Sequence, residues 1–320
     1  MFIGVPKELK EFEGRVGLDP ASVAVLVKNG VMVFVENEAG KLSGFADDNY
    51  LKAGAILCPQ KKVWQLTDMI VKVKEPLPQE YEFFRRGLKI MTFFHFTANT
   101  ELKKECERVG VVAIPYESIQ FPDGSKPILR AMSEVAGEVA ADMAAQFLRS
   151  SCGGKGVLMS DAIVSIVGVL GNVGSIALSV LEHRAKKIFC LDNRIRRNES
   201  HHNCSFLIST PKTILESISQ SDVVIGAAAN RDGGAPHLIT REMVKQMKPG
   251  SVLVDVAIDE GGISETSRPT TYANPSYIEE GVVHVCIANL PGGVPRTSTP
   301  RLVNASLPYI LKVANGENIL

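Results

Sequence analysis

The run Gly168-Val-Leu-Gly171-Asn-Val-Gly174-Ser, with apolar Ile166-Val167 before it and Lys187-Ile-Phe-Cys-Leu-Asp192 after it, is the spacing in this chain that most directly implies chemistry. Small residues where a strand turns into a helix let the backbone approach a pyrophosphate. The helix N-terminus supplies unpaired N–H groups at a positive dipole end, and a carboxylate closing the next strand accepts from ribose hydroxyls. That chemistry is dinucleotide binding, and Asp192 at the strand end favours NAD over NADP. The spacing is irregular. Counted back from Gly174, a G-x-G-x-x-G run would begin at Val169, and the glycine falls one place earlier, at Gly168.

A nicotinamide reaction also needs groups that clamp a substrate carboxylate and move a proton beside the carbon that exchanges hydride. Arg15 follows Glu13-Gly14 in a polar loop and, taken alone, reads as a solvated charge. Lys74 closes Val71-Lys-Val-Lys, where Glu75-Pro76 turns the chain and leaves the amine at a sheet edge; with Lys72 on the same face, the pair also reads as the blunting of an edge strand. His95, in Thr92-Phe-Phe-His-Phe-Thr97, is either a core histidine with a backbone partner or an acid/base group poised near neutrality. Asp259, in Asp255-Val-Ala-Ile-Asp259-Glu-Gly-Gly262, follows an apolar strand and has a bland reading as a turn former.

These residues need a scaffold, and the chain alternates short apolar runs with helical patterns. Strand candidates in the first part are Phe2-Ile-Gly-Val, Val31-Met-Val-Phe-Val-Glu36, Met69-Ile-Val-Lys-Val-Lys74, Lys89-Ile-Met-Thr-Phe-Phe94 and Val111-Val-Ala-Ile-Pro115. Pro20-Ala-Ser-Val-Ala-Val-Leu-Val-Lys28 reads as a helix, as does the Ala- and Met-rich stretch from Ala131 to Arg149, which connects to the glycine turn. Further strands, Asp222-Val-Val-Ile-Gly226, Val252-Leu-Val-Asp255 and Val282-Val-His-Val-Cys-Ile287, extend the second sheet, and a helical pattern around Pro308 returns to the first domain. Strands separated by helices predict parallel sheets with crossover connections. The expected architecture is α/β with two doubly wound domains joined by long helices. A Rossmann NAD-binding domain, residues 129–297, is inserted in a discontinuous substrate domain, residues 1–128 and 298–320.

At 320 residues the chain is long enough for two cores. Thirty-five basic and 35 acidic residues cancel, which gives no global electrostatic reason to expect nucleic acid or a membrane surface and points to a small-molecule partner. The 6 cysteines show no CxxC spacing and predict reduced thiols. Neither a signal-peptide pattern nor a membrane-length apolar run is seen, so a cytoplasmic location is expected.

Taken in order, Gly4-Val-Pro-Lys-Glu8, Arg15-Val16, Gly44-Phe45, Val71-Lys-Val-Lys-Glu-Pro76, Tyr116-Glu117, Met132-Ser-Glu-Val-Ala-Gly137, Asp255-Val-Ala-Ile-Asp259, Ser267-Arg-Pro-Thr-Thr271, Ala288-Asn289 and Val294-Pro-Arg-Thr-Ser-Thr299 resemble alanine dehydrogenase, a family grouped with the α subunit of proton-translocating transhydrogenase. The resemblance implies reversible NAD-dependent oxidative deamination of L-alanine to pyruvate and ammonium by a homohexamer. It further implies that Arg15 and Lys74 hold the substrate, that His95 is the general acid/base, and that Asp259 is its partner in proton transfer. For the cofactor it implies Gly171, Asn172, Val173 and Gly174 at the pyrophosphate turn, Asp192 and Arg197 near the adenosine ribose, and Ser133, Ser209, Ala228 and Ala229 along the site. Val256, Ala257 and Ile258, together with Ile287, Ala288, Asn289 and Leu290, complete that set. His95 favours the dehydrogenase over the transhydrogenase component. Departures sit in the second domain, where Val169 and Leu170 replace glycines of the family and loops after Gly156 and Arg197 are shortened. They leave a weakened NAD(H)-binding relative or a transhydrogenase-like hydride-exchange component as alternatives.

Overall fold

The computed structural model describes residues 1–230 and 234–319. The chain divides into two compact units, Met1–Met132 with Pro291–Leu320, and Ser133–Leu290. The divisions lie a few residues from the expected breaks, because the first falls inside a helix, Pro127–Phe147, that has no internal interruption.

Unit 1 is built on strands β1 (Phe2–Val5), β2 (Met32–Glu36), β3 (Ile56–Cys58), β4 (Met69–Val71), β5 (Lys89–Thr92) and β6 (Val112–Pro115). They form one sheet in the order β3-β2-β1-β4-β5-β6, parallel throughout. Buried runs such as Met69-Ile-Val need cover on both faces, and helices between the strands provide it. The helix Pro20–Lys28 starts as its sequence dictates, with the Asp19 carboxylate accepting the Ser22 N–H and Pro20 in the first turn. Trp64, Ile70, Phe84, Ile90, Phe94 and Leu102 share one core cluster. The last helix, Pro295–Ala314, belongs to this unit, and its Thr299 hydroxyl meets Ser43 Oγ at 2.8 Å and accepts the Val16 N–H.

Unit 2 carries β7 (Ile163–Val167), β8 (Lys187–Asp192), β9 (Glu199–His201), β10 (Cys204–Ile208), β11 (Val223–Gly226), β12 (Val252–Asp255), β13 (Tyr277–Glu279) and β14 (Val282–Val285). The order is β13-β14-β12-β11-β7-β8-β10-β9, a parallel sheet with antiparallel β9 and β13 at its edges. In each unit the strand order reverses, at β1/β4 and at β7/β11. Open parallel sheets bind ligands at the carboxyl ends of the strands beside such a reversal.

The doubly wound α/β architecture expected from the alternating pattern is therefore what the chain adopts, and the differences are local. Strands β3, β9, β10 and β13 were not predicted. β9 is Glu-Ser-His, exposed throughout, so no hydrophobic alternation marks it. The edge-strand reading of Lys72 and Lys74 is wrong, since β4 lies between β1 and β5 in the sheet interior. Cysteines 58, 106, 190, 204 and 286 are buried and all 6 are free. Among the described residues no helix is long and apolar enough to cross a membrane.

Candidate active site

At the carboxyl edge of unit 1, polar residues that follow different strands are buried together. Arg15, expected to be solvated when taken alone, is 3% exposed. Its Nε and Nη2 donate to the two oxygens of Glu13 at 2.7 and 2.5 Å, and Nη1 lies 3.2 Å from Met132 Sδ. This bidentate pair fixes one edge of the guanidinium and so orients the other. A cleft of about 260 Å³ opens beside it, lined by Glu8, Glu13, Gly14, Arg15, Lys7 and neighbouring residues up to Leu42. A second cavity, about 230 Å³, is lined by Lys89 and Val112, the first residues of β5 and β6, and so lies at the opposite end of the sheet from this chemistry.

Glu8 ties the strand ends to each other. Its Oε1 accepts the Val73 N–H at 2.7 Å, and its Oε2 lies 3.5 Å from Lys72 Nζ, which also pairs with Glu80 at 2.8 Å. Thr92 Oγ1, at the end of β5, donates to the Lys74 carbonyl at 2.9 Å, so the segment carrying Lys74 is laced to the strand end that precedes His95. Burial pushes the Glu8 carboxyl up to about 7, although the Lys72 ammonium draws it down. A carboxyl raised in this way adds stability below its unfolded value near 4.5 and loses it as the pH climbs through 7. Glu8→Gln should therefore gain stability on wild type between pH 5 and 8, by at most about 3 kcal/mol. Thermal midpoints of both proteins across that range test this, and a variant less stable than wild type by a constant margin would refute it.

His95 sits just past β5 with φ at +48°, a left-handed conformation costly for a residue with a β-carbon. The Glu117 carboxylate enforces it by accepting the His95 N–H at 2.7 Å and the Phe94 N–H at 3.1 Å. The His95 carbonyl accepts from Ala98 and Asn99, each at 2.9 Å, and Asn99 Nδ2 donates to the Phe94 carbonyl. The imidazole lies parallel to Phe93 at 5.9 Å. The ring is half-buried at the end of the strand, outside the core proper, as an acid/base group requires.

In unit 2 the glycine turn resolves its own irregularity. Gly168 takes the left-handed conformation, φ +91°, and a β-carbon there would lie 2.7 Å from the Ala227 and Ala228 backbone where β11 ends. Gly174 must also lack a side chain, because a β-carbon would lie 2.3 Å from the Gly168 carbonyl oxygen. Val169 turns inward at 1% exposure, while Leu170 is exposed. The turn is thus one residue longer than G-x-G-x-x-G and keeps its two sterically required glycines. Gly171 caps the helix Asn172–Leu181 with no side-chain partner, leaving first-turn N–H groups aimed past the strand end.

The other expected cofactor residues follow the carboxyl ends of the parallel strands: Asp192, Arg197 and Ser209 after β8 and β10, Ala228 and Ala229 after β11, Val256, Ala257, Ile258 and Asp259 after β12, and Ile287, Ala288, Asn289 and Leu290 after β14. The Asn289 N–H, at φ +64°, donates to Asp259 Oδ2 at 3.2 Å and joins the last two segments. Ser133 stands apart on the helix Pro127–Phe147. A cradle that β-carbons would fill, an uncapped helix start and an acid beside it fit a dinucleotide. Asp192 is 4% exposed and bound by Arg194. Burial raises its carboxyl, and hydrogen bonds from Arg194 and Leu170 outweigh that and hold it below the ordinary range.

Four residues not anticipated now stand beside the site: Glu8, Glu13, Glu117 and Arg194. Three lie in or next to phrases already singled out, Gly4 to Glu8, Arg15-Val16 and Tyr116-Glu117, and their role follows only from their neighbours in space.

Residues 4–136 match the family model Alanine dehydrogenase/PNT, N-terminal domain, and residues 140–319 match Alanine dehydrogenase/PNT, C-terminal domain. The chain is 45% identical to the alanine dehydrogenase of Bacillus subtilis (strain 168), covering 98% of this chain and 86% of that one. It is 43% identical to alanine dehydrogenase 2 of Staphylococcus aureus (strain Mu50 / ATCC 700699), over 98% and 88%. Among solved structures, an L-alanine dehydrogenase superposes with a TM-score of 0.91 at 39% identity, over 98% of this chain and 90% of that chain. A transhydrogenase from Sinorhizobium meliloti superposes at 0.85 with 23% identity, over 98% and 94%, a likeness of fold.

Proposed function

Since the chain belongs to the alanine dehydrogenase/PNT family, we propose that it catalyses the reversible oxidative deamination of L-alanine to pyruvate and ammonium, with NAD as the hydride acceptor. The observation that carries this reading is identity to alanine dehydrogenases along nearly the whole chain, covering both units. Purified protein given L-alanine and NAD at alkaline pH should produce the absorbance of NADH. Silence with alanine, and equally with glycine and serine, would sink it.

Bound NAD would supply the acceptor for the hydride of the α-carbon. The chain's own residues then do the following. Arg15 would hold the substrate carboxylate through its planar guanidinium, which Glu13 positions by its Nε and Nη2. Lys74 polarises the oxygen of the keto form. His95 takes a proton from the water that adds to the imine carbon and returns one as ammonia leaves; Asp259 exchanges protons with the amine. Asn172 and Val173 would hold the pyrophosphate through backbone N–H groups at the start of their helix, and Gly171 and Gly174 would let it approach. Asp192 and Arg197 serve the adenosine ribose, with Ser133, Ser209, Ala228 and the segments 256–258 and 287–290 along the cofactor. A homohexamer in the cytoplasm, serving alanine catabolism, is carried over from the family resemblance. Light scattering behind size exclusion should give six times the mass of one chain.

Arg15→Lys keeps the charge and loses the planar fork. KM for alanine and pyruvate should rise about tenfold to hundredfold, one charge-assisted hydrogen bond or more, with NADH affinity unchanged. An unchanged KM would remove Arg15 from the substrate clamp.

A further inference from the structure

We propose that the loop after β8 is a subsite for a 2′-phosphate and that the chain binds NADP(H) as well as NAD(H); the inference rests on the dinucleotide reading of unit 2. A carboxylate offers about four acceptor positions. Those of Asp192 are filled from within the unit. Oδ1 accepts from the Arg194 N–H at 3.0 Å and from its Nε at 2.8 Å, while Oδ2 accepts from the Leu170 N–H at 3.0 Å and from Arg194 Nη2 at 2.9 Å. A ribose diol reaches this carboxylate only by displacing the guanidinium.

A phosphate meets the opposite situation. A guanidinium has about five N–H donors, of which Asp192 takes two, so the outer edge keeps Nη1 and one proton of Nη2. The Arg194 side chain is 52% exposed, so that edge is accessible, and its geometry is that of a bidentate phosphate contact. Charge points the same way. An unpaired acid at this position repels a 2′-phosphate and thereby selects NAD. Here the acid is neutralised by its partner, and Arg196 and Arg197 stand exposed in the same loop, with Glu199 3.6 Å from Arg197. Arg196 has no carboxylate partner among the described residues. The Asp192–Arg194 pair therefore anchors a phosphate-binding edge without having to open, whereas NAD binding must break it.

Fluorescence titrations of the purified protein with NADH and with NADPH, without amino acid, read both affinities independently of turnover. The NADPH Kd is expected within about tenfold of the NADH Kd. Arg194→Ala should weaken NADPH by at least about tenfold, one charge-assisted hydrogen bond, and leave NADH unchanged or tighter. Arg194→Lys, which keeps the charge, should recover part of the NADPH affinity and guards against a folding defect in the alanine variant. Binding of NADH with NADPH more than about a hundredfold weaker overturns the subsite and leaves the proposed function standing. Binding of neither nucleotide overturns both. Equal weakening of the two by Arg194→Ala also overturns the subsite, since the residue would then be a prop for the turn.

Discussion

Replacing His95 with alanine should lower kcat about a thousandfold, within the range general acid–base catalysis contributes, while the NADH Kd stays within about twofold of wild type. The separation is expected because His95 lies in unit 1, after β5, and the residues proposed to hold the dinucleotide lie in unit 2. The left-handed backbone complicates the reading, since alanine tolerates φ +48° less well than histidine. His95→Asn is the control. Asparagine accepts that conformation and, like alanine, keeps the backbone N–H bonded to Glu117, so it preserves the turn and removes only the imidazole ring. Equal loss in both variants assigns the defect to chemistry. Substantial activity in the asparagine variant, or a fall in NADH affinity as large as that of Asp192→Ala, would contradict the acid/base role.

Gly174→Ala should damage unit 2 at the glycine turn itself. In an ordinary helix this change stabilises by about 1 kcal/mol through propensity. Here the new β-carbon would sit 2.3 Å from the Gly168 carbonyl oxygen and 2.8 Å from the Val169 α-carbon, both backbone atoms that cannot rotate aside. The helix and the turn must separate, at a cost of about 1–3 kcal/mol typical of overpacking, so the clash wins. Moving them apart also carries the first-turn N–H groups off their target, and NADH affinity should fall by about a hundredfold, the equivalent of two hydrogen bonds to the pyrophosphate. A thermal midpoint equal to or above wild type, with NADH binding intact, would show that the turn is looser than its geometry.

The residues explain why some of this was legible in the sequence and some was not. Asp192 could be placed because a strand ending in an acid after a glycine turn is a local pattern, fixed by neighbours in the chain. The role of Gly168 could not be separated from that of Val169, since the backbone that leaves no room for a β-carbon there belongs to Ala227 and Ala228, which reach the turn only when β11 pairs with β7. Glu117 and His95 are 22 positions apart and meet because β5 and β6 are adjacent and parallel. Glu8 and Val73 are 65 apart and meet across β1 and β4. A buried carboxylate carries no mark in the sequence that distinguishes it from a solvated one. Arg15 taken alone reads as solvated for the same reason, since its partners Glu13 and Met132 close on it only in the fold. The doubly wound architecture was legible because it follows from alternation repeated along the chain, whereas β9 and β13, polar or short pieces at sheet edges, lack any such repetition.

Unit 1 is assembled from the two ends of the chain, with Thr299 of its last helix buried against Ser43 and Val16. On a ribosome this imposes an order of events. Residues 133–290 form an uninterrupted piece that can close its sheet as soon as it has emerged. The first 132 residues, though they hold all strands of their own sheet, must wait for that whole piece to be made, roughly 8–30 s at ordinary synthesis rates. Throughout that interval the surface that receives Thr299 is uncovered. The nascent chain can therefore complete residues 133–290 before unit 1 is whole, and the exposed seat for the final helix is where a chaperone would have its use.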